Sequence, residues 1–287
     1  MTLFIRISVY HFITALIILQ LFRDEGIVGV IVPVWTNTAK LVPLMALFGI
    51  VFLVLGLALA FAFRAHFGRY KNIVTHLGVA ITATLMFHTS FTLIKTSIPA
   101  MVPFWADPLF ADIDKWLHGG VDPWIIVYGW AAHLPMDVVL TAYMKWWSLP
   151  VLGFLILLAT VDRDEARVRR FAILYAVAWI FCGHVLATLG SSVGPIYYDR
   201  LLGGERFADL VAAVEAGAVG GSTIQFIQGA LWDLYAQEKQ AFGSGISAFP
   251  SVHVSSTMVF ALYVHERLPK IGAVLGTAMV AVILFLS

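Results

Sequence analysis

Residues 171–193, FAILYAVAWIFCGHVLATLGSSV, contain no Asp, Glu, Lys or Arg. A helix needs about 20 mostly apolar residues to cross the hydrocarbon core of a bilayer, so this stretch predicts a transmembrane span. The whole chain has a similar character, since 60% of its 287 residues are hydrophobic and 12% are charged, whereas soluble domains carry roughly 25% charged residues. The sequence therefore predicts an all-α, polytopic membrane helix bundle. It excludes a soluble globular domain, a disordered chain and a disulfide scaffold.

Seven segments predict membrane spans, and the loops between them differ in charge. Three alternate loops (64–71, 161–170 and 265–270), together with Arg6, hold ten Lys and Arg residues and four acidic ones. The positive-inside rule then predicts a cytoplasmic N-terminus. We expect residues 1–72 to form two N-terminal spans and residues 73–287 to form the helical core. The seven predicted spans are 3–22, 41–63, 74–97, 137–160, 171–193, 250–266 and 271–287.

The long outer loops have patterns typical of interfacial helices. Residues 104–123 predict one short helix at the membrane surface. Apolar residues at helical spacing predict two more, around 207–214 and 224–235. These two helices either rest on the membrane or form a lid over a lipid site. The net charge of +1 gives no bulk attraction to nucleic acid. The expected partners are therefore the bilayer and a lipid substrate, and the oligomeric state is left open.

The candidate active segment is GSGISAFPSVH, residues 243–253. Pro250 suits the first turn of a helix, and the following backbone N–H groups then point outward. A helix N-terminus of this kind binds phosphate, with the hydroxyl of Ser251 as a further ligand. His253 can donate a proton to a leaving oxygen near neutral pH. The alternative interpretation is a helix cap followed by an incidental histidine.

A second candidate phosphate ligand, Arg200, ends the motif Gly194-Pro-Ile-Tyr-Tyr-Asp-Arg200 on the same membrane face. A guanidinium can clamp a phosphate with two parallel hydrogen bonds. We therefore expect Arg200 and His253 to face one another across a phosphate-sized cavity. The alternative is an interfacial arginine paired with Asp199 or with a lipid headgroup.

Two lysines, Lys95 and Lys145, lie inside predicted spans, each ~12 Å from the outer end. A charge inside the membrane usually faces a cavity or a partner, so both can support an anionic site. Snorkelling of the side chain to the interface is the alternative. His88 and His184 are predicted to be hydrogen-bonded interior residues, and Trp146 and Trp147 to be packing residues. No spacing typical of metal ligands or cofactor loops is present, so neither a metal nor a cofactor is expected.

With Pro250-Ser-Val-His253 and Gly194-Pro-Ile-Tyr-Tyr upstream, the chain resembles the phosphatidic acid phosphatase type 2 superfamily. It is most similar to the branch of inositol phosphorylceramide synthases and their bacterial relatives. The outer-loop motifs Asp107-Pro108 and Asp114-Lys-Trp-Leu-His-Gly119 support the resemblance, which covers roughly residues 100–287. It implies a histidine-based phosphatase or phosphotransferase acting on lipids, with His253 as the acid and Ser251 as a phosphate ligand. The implied location is the non-cytoplasmic face of the plasma or inner membrane.

The chain departs from the family pattern at three places. It has no Arg-Pro dipeptide, and Val252 stands where the superfamily has glycine. No His-x3-Asp motif follows His253, and His265 is predicted on the cytoplasmic side, so it cannot be the nucleophile. We therefore expect a truncated chain in which the phosphate site is present and the chemistry is absent.

Three functional hypotheses remain at this point. The first is a metal-independent transferase of phospho-headgroups between lipids, and the second is a lipid phosphatase that uses water as the acceptor. The motifs do not separate these two. The third is a transporter or structural membrane protein whose PSVH segment only caps a helix. Transporters tend to interrupt their spans near the midplane, whereas the glycine and proline breaks here lie at the interfaces, which favours an enzyme.

Overall fold

The computed structural model describes residues 2–41, 67–131, 133–143, 147–217, 221–241 and 243–286. These residues form helices, turns and loops without a strand, which confirms the predicted all-α bundle. The predicted span 41–63 lies almost wholly outside the described residues. The helices are α1 (Thr2–Phe22), α2 (Gly26–Leu41), α3 (Phe67–Met101), α4 (Asp107–Leu117), α5 (Pro123–Ala131), α6 (Met136–Ala142), α7 (Ser148–Leu152), α8 (Phe154–Val161), α9 (Glu165–Leu189), α10 (Pro195–Leu202), α11 (Ala208–Glu215), α12 (Gly221–Ala236), α13 (Val252–Arg267) and α14 (Pro269–Leu286).

Within the described part of the chain, three helices are long and apolar enough to cross a membrane. They are α1, the Thr75–Met101 part of α3, and α9. All three correspond to predicted spans, and the protein is an integral membrane protein. The last two predicted spans, 250–266 and 271–287, are also helical and correspond to α13 and α14.

Two regions differ from the sequence-based expectation. The described residues of the predicted span 137–160 are helical except for a turn at Gly153, and they include α6, α7 and α8, with π-helical geometry at Tyr143 and Trp147. Pro150 lies inside α7 and has no N–H for helical hydrogen bonding, and Gly153 forms the turn before α8. The other difference is α2, a helix in the stretch between the first two predicted spans. Its 16 residues are too few for the spanning rule, and Pro33 lies in its middle.

Helix α1 buries two polar residues and exposes several large apolar ones. Its buried face carries Ser8 and His11 among apolar side chains, whereas Tyr10, Ile17 and Leu21 are exposed. In water this arrangement would be unfavourable, but lipid tails solvate exposed apolar side chains as well as a protein core does. The buried face packs along α3, so α1 is part of the bundle.

Aromatic rings join α8, α9 and α13 into one core. The ring of Phe154 lies 5.8 Å from Tyr175 and 5.2 Å from Tyr263, measured between ring centroids. Phe171 meets Tyr263 edge-on at 5.2 Å. Tilted and edge-on ring pairs add to the stabilisation from burial. These contacts fix the C-terminal half of α13 against α8 and α9.

The predicted outer-loop helices are present as helices. The segment 104–123 contains α4, and the two later patterns form α11 and α12. Leu210 and Val214 of α11 are buried in a cluster with Ala111 of α4. The outer helices therefore pack on one another, and their position relative to the membrane surface stays a prediction.

Helices α13 and α14 approach closely where two glycines four residues apart meet α13. A Cβ atom on Gly272 would lie 2.5 Å from the carbonyl oxygen of Val264, and one on Gly276 would lie 2.9 Å from the Cβ of Ala261.

We expect Gly272→Ala to force the helices apart and to lower the Tm by roughly 5 °C, since overpacking costs about 1–3 kcal/mol. Thermal unfolding in detergent measures this. Gly78→Ala on α3 is the matched control, because nothing lies within 4 Å of that position, and equal Tm values for the two variants would contradict the prediction.

The loop after α8 contains a buried carboxylate that ties α9 to α13. Arg167 donates to both oxygens of Asp162, at 2.6 and 2.8 Å, and the hydroxyl of Tyr263 donates at 3.1 Å. The hydrogen bonds from Arg167 hold the pKa of Asp162 well below its usual range. Because this pKa is lower in the folded protein than in the unfolded chain, the stabilisation is complete above about pH 5 and is lost as the pH falls.

Asp162→Asn is therefore expected to lower the Tm at pH 7, by about 5 °C. The difference from the wild type should shrink as the pH is lowered below about 4, where the carboxylate of the unfolded chain takes up a proton. Thermal unfolding between pH 3 and pH 8 tests this. Glu165→Gln, an exposed acid in the first turn of α9, serves as the control. A difference in Tm that did not change with pH would show that the charge of Asp162 is not the source of the stabilisation.

Candidate active site

The N-terminus of α13 has the geometry expected of an anion site. Ser251 is the N-cap, and its Oγ accepts a hydrogen bond from the amide of Val254 at 3.3 Å. Among the described residues, no acceptor is present for the amides of Val252 and His253. The hydroxyl proton of Ser251 also stays available for donation. Three donors and the positive end of the helix dipole therefore meet at one point.

His253 is enclosed by aromatic rings from the segment between α6 and α7. Its ring lies 4.3 Å from that of Trp147 and 5.8 Å from that of Tyr143, and the two aromatic rings stack on each other. No hydrogen bond to the imidazole of His253 occurs within the described parts of the chain, so its nitrogens are available to a ligand. The Nε1 of Trp147 is buried without an acceptor there and is a further free donor. The predicted packing role of Trp147 is thus extended to the wall of the site.

Lys95 of α3 is a cation within electrostatic reach of His253. Its charge acts electrostatically on both His253 and His184. Its half-buried stem packs on Gly245, where a Cβ would lie 3.3 Å from the Cγ of the lysine. Gly245 has φ +99°, which disfavours any residue with a side chain. The other predicted lysine, Lys145, lies outside the described residues.

Asp107 at the start of α4 holds the loop that follows α9. Its carboxylate is buried and accepts hydrogen bonds from the hydroxyl of Ser192 and the amides of Val193 and Gly194, at 2.8–3.0 Å. A carboxylate with this many donors is a strong anchor for backbone. Sequence reasoning assigned Asp107 no role. The Asp107-Pro108 pair in the sequence indicates the start of a helix, but it does not show that the Asp107 carboxylate binds the loop after α9.

The loop anchored by Asp107 lies directly against the active segment. The amide of Ala248 donates to the carbonyl of Ser192 at 2.9 Å. At Gly190 a Cβ would lie 2.9 Å from the ring of Phe249, so the side chain of Phe249 packs directly on the backbone of Gly190. The position of the segment leading to Ser251 therefore depends on Asp107, more than a hundred residues earlier in the chain.

The structure places Arg200 among partners other than His253. Its Nη2 donates to Glu215 at 3.1 Å, and its guanidinium lies 5.2 Å from the centre of the Trp232 ring. The proposed cavity shared with His253 therefore stays a prediction. The alternative pairing with Asp199 is wrong, because Asp199 instead accepts hydrogen bonds from the amides of Arg206 and Phe207.

The two interior histidines make the predicted hydrogen bonds. Nε2 of His184 lies 3.0 Å from Nε2 of His11 on α1, and Nε2 of His88 lies 3.1 Å from the hydroxyl of Tyr175. His11 was not singled out from the sequence, because a lone histidine in an N-terminal span has no local signal. Across the described residues, no group of three or more His, Cys, Asp or Glu side chains is arranged to hold a metal ion.

Comparison with known proteins gives one match. The family model of the PAP2 superfamily, the phosphatidic acid phosphatase type 2 superfamily, matches residues 108–287, which is more than half of the chain. No curated protein matches the chain. No solved structure matches it either. The matched region begins at Pro108 in α4 and includes Arg200, Ser251 and His253, whereas α1, α2 and α3 precede it.

Proposed function

Because the chain belongs to the PAP2 superfamily, we propose that it is a membrane-embedded phosphatase or phosphotransferase whose substrate is a lipid phosphate. The observation that carries this proposal is the position of His253 in the first turn of α13, against the ring of Trp147 and within electrostatic reach of Lys95. An imidazole, a cation and free backbone donors at one point suit a phosphate ester. The finer proposal is transfer of a phospho-headgroup between lipids, as in the inositol phosphorylceramide synthases that the PSVH motif resembles.

Each group at the site has a separate task in the proposed reaction. The amides of Val252 and His253 and the hydroxyl of Ser251 bind the non-bridging phosphate oxygens. Lys95 balances their negative charge in a region where water is scarce. When the bond from phosphorus to the leaving oxygen breaks, His253 gives its proton to that oxygen. The phosphorus forms a new bond to the oxygen of water in a phosphatase, or to the hydroxyl oxygen of a second lipid or headgroup in a transferase, and the proton that this oxygen loses returns to His253.

His265 does not take part in the proposed reaction. It lies twelve residues beyond His253 on the same helix, which separates the two side chains by about 18 Å at 1.5 Å per residue. His265 is also exposed at the C-terminal end of α13. Arg200 is proposed as an outer phosphate contact, and it would exchange the carboxylate of Glu215 for phosphate oxygens on binding.

Phosphate release and headgroup exchange by protein expressed from its full reading frame test the proposed function. Purified protein in phosphatidylcholine vesicles is given phosphatidic acid to detect hydrolysis. It is then given phosphatidylinositol with a labelled lipid alcohol to detect transfer. Turnover of either lipid supports the proposal, and the ratio of the two rates separates phosphatase from transferase. Failure to turn over both would contradict it and favour a helix cap in a transporter or structural protein.

We also propose that the site opens on the non-cytoplasmic face of the plasma or inner membrane. The charge asymmetry of the loops supports this orientation, because the basic loops lie on the other side. A cysteine introduced by Arg200→Cys, in a Cys182→Ala background, is expected to react with a membrane-impermeant maleimide added outside intact cells. A cysteine introduced by Arg163→Cys, in the basic loop after α8, is the control and should react only after the cells are opened. The reverse labelling pattern would overturn the orientation.

A further inference from the structure

A buried histidine pair joins α1 to α9 inside the bundle. Nε2 of His11 and Nε2 of His184 lie 3.0 Å apart, so one of the two nitrogens must carry the proton and donate it. Both rings are buried, with 4% and 6% of their surfaces exposed. Both Nδ1 atoms, and the Oγ of Ser8 one turn away, are buried without a partner among the described residues. Ionisable side chains inside a membrane bundle are costly, so a pair of them indicates a functional role.

The backbone next to His184 supports the start of α13. Val177–Leu186 of α9 is π-helical, a form that often marks functional sites. Within it, a Cβ on Gly183 would lie 2.9 Å from the Cγ2 of Val252 and 2.5 Å from the ring of Phe91. The α9 backbone therefore touches the residue that precedes His253. Any movement of this stretch would displace the first turn of α13.

Lys95 provides a second link between the pair and the site. Its charge acts on His184 and on His253, so it lies within electrostatic reach of both imidazoles. His184 is thus linked to His253 through the Gly183–Val252 contact and through this lysine. His11 contacts His184 on the Nε2 side of the ring and makes a hydrogen bond to it there.

We propose that His11 is a positioning residue for the active site, acting through its hydrogen bond to His184 and the packing of Gly183 on Val252. The proposal rests on the proposed function of His253. It makes α1, which lies before the region matched by the family, part of the catalytic architecture. The hydrogen bond sets the orientation of His184, and the π-helical stretch transmits that orientation to the amides of Val252 and His253.

Turnover kinetics separate positioning from simple packing. His11→Phe keeps a ring of similar size and removes the hydrogen bond. We expect it to lower kcat about 10-fold and to change KM less than 2-fold, because misplacement by a fraction of an ångström weakens transition-state contacts most. His11→Gln, whose amide can again donate to His184, is expected to recover at least half of the lost rate. The double variant His11→Phe/His184→Phe should lose no more than His184→Phe alone.

A control on the same helix accounts for general loss of stability. Phe4→Ala removes a buried side chain of α1 that contacts Phe87, 6.0 Å away between centroids. It should lower the Tm at least as much as His11→Phe but leave kcat within 2-fold of the wild type. If both variants lowered kcat in proportion to Tm, or if His11→Gln gave no recovery, His11 would be only a packing residue.

A measurement without turnover distinguishes failure of this inference from failure of the proposed function. Protein labelled with ¹⁵N-histidine gives imidazole signals that His253→Gln and His184→Gln assign. His11→Phe is expected to shift the signals of both His184 and His253, whereas Phe4→Ala shifts neither. If the signals shifted in a protein that turned over no lipid phosphate, the proposed function would be overturned, but the coupling of His11 to His253 through His184 would be supported. An unshifted His253 signal would overturn the positioning role even in an active enzyme.

Discussion

In protein expressed from the full reading frame, replacing His253 with glutamine is expected to lower kcat for lipid-phosphate turnover by roughly 10²–10⁴-fold, the usual contribution of a positioned general acid. Glutamine has nearly the same length and keeps a hydrogen-bond donor, but it cannot release a proton to the leaving oxygen. KM should change little, because proton donation acts in the transition state and not in substrate binding. The measurement is steady-state phosphate release in vesicles.

The leaving group provides a sharper test of the role of His253. A lipid ester of 4-nitrophenyl phosphate releases a phenolate that needs little protonation, so His253→Gln should slow its release far less than that of the natural alcohol. His265→Gln at the exposed end of the same helix is the matched control and should be fully active. Equal losses on both substrates would show that His253 binds phosphate and is not the acid.

Replacing Asp107 with alanine is expected to give the largest loss of stability among the variants considered. The carboxylate of Asp107 is buried and accepts hydrogen bonds from the hydroxyl of Ser192 and from the amides of Val193 and Gly194. Each buried donor left without an acceptor costs about 1–3 kcal/mol, so three of them cost about 3 kcal/mol or more. This corresponds to a decrease in Tm of roughly 6–12 °C. Turnover should fall as well, because the released loop packs on Ala248 and Phe249.

Two further variants test whether the hydrogen bonds of Asp107 are responsible. Asp107→Asn keeps one acceptor oxygen but points an NH₂ group toward the amide of Val193, so an intermediate loss is expected. Asp114→Ala removes an exposed acid from the same helix and should leave both Tm and turnover unchanged. If Asp107→Ala were as stable as Asp114→Ala, the carboxylate would not be the anchor of the loop.

The membrane class and most of the helices could be predicted because hydrophobicity is a local property. A run such as 171–193 predicts a span without knowledge of its neighbours, and helical spacing predicted α11 and α12. The segment ending in His253 could also be predicted as the start of a helix, but Pro250 does not stand in the first turn, because Ser251 is the N-cap and the helix begins at Val252. Local patterns were less informative at two places. Helix α2 was not predicted, and the turn at Gly153 within the predicted span 137–160 was not expected.

The sequence by itself therefore determined the class of the protein, the main helices and the residue proposed as the acid. Only the tertiary structure decided which distant groups support that residue. Asp107 binds a loop 85–87 positions away, and His11 pairs with His184 across 173 positions. Lys95 could snorkel or face inward on sequence grounds, and only the packed structure shows its stem against Gly245 in the loop before α13. Hydrogen bonds and ion contacts depend on geometry to within a fraction of an ångström, and that geometry arises only when the helices pack.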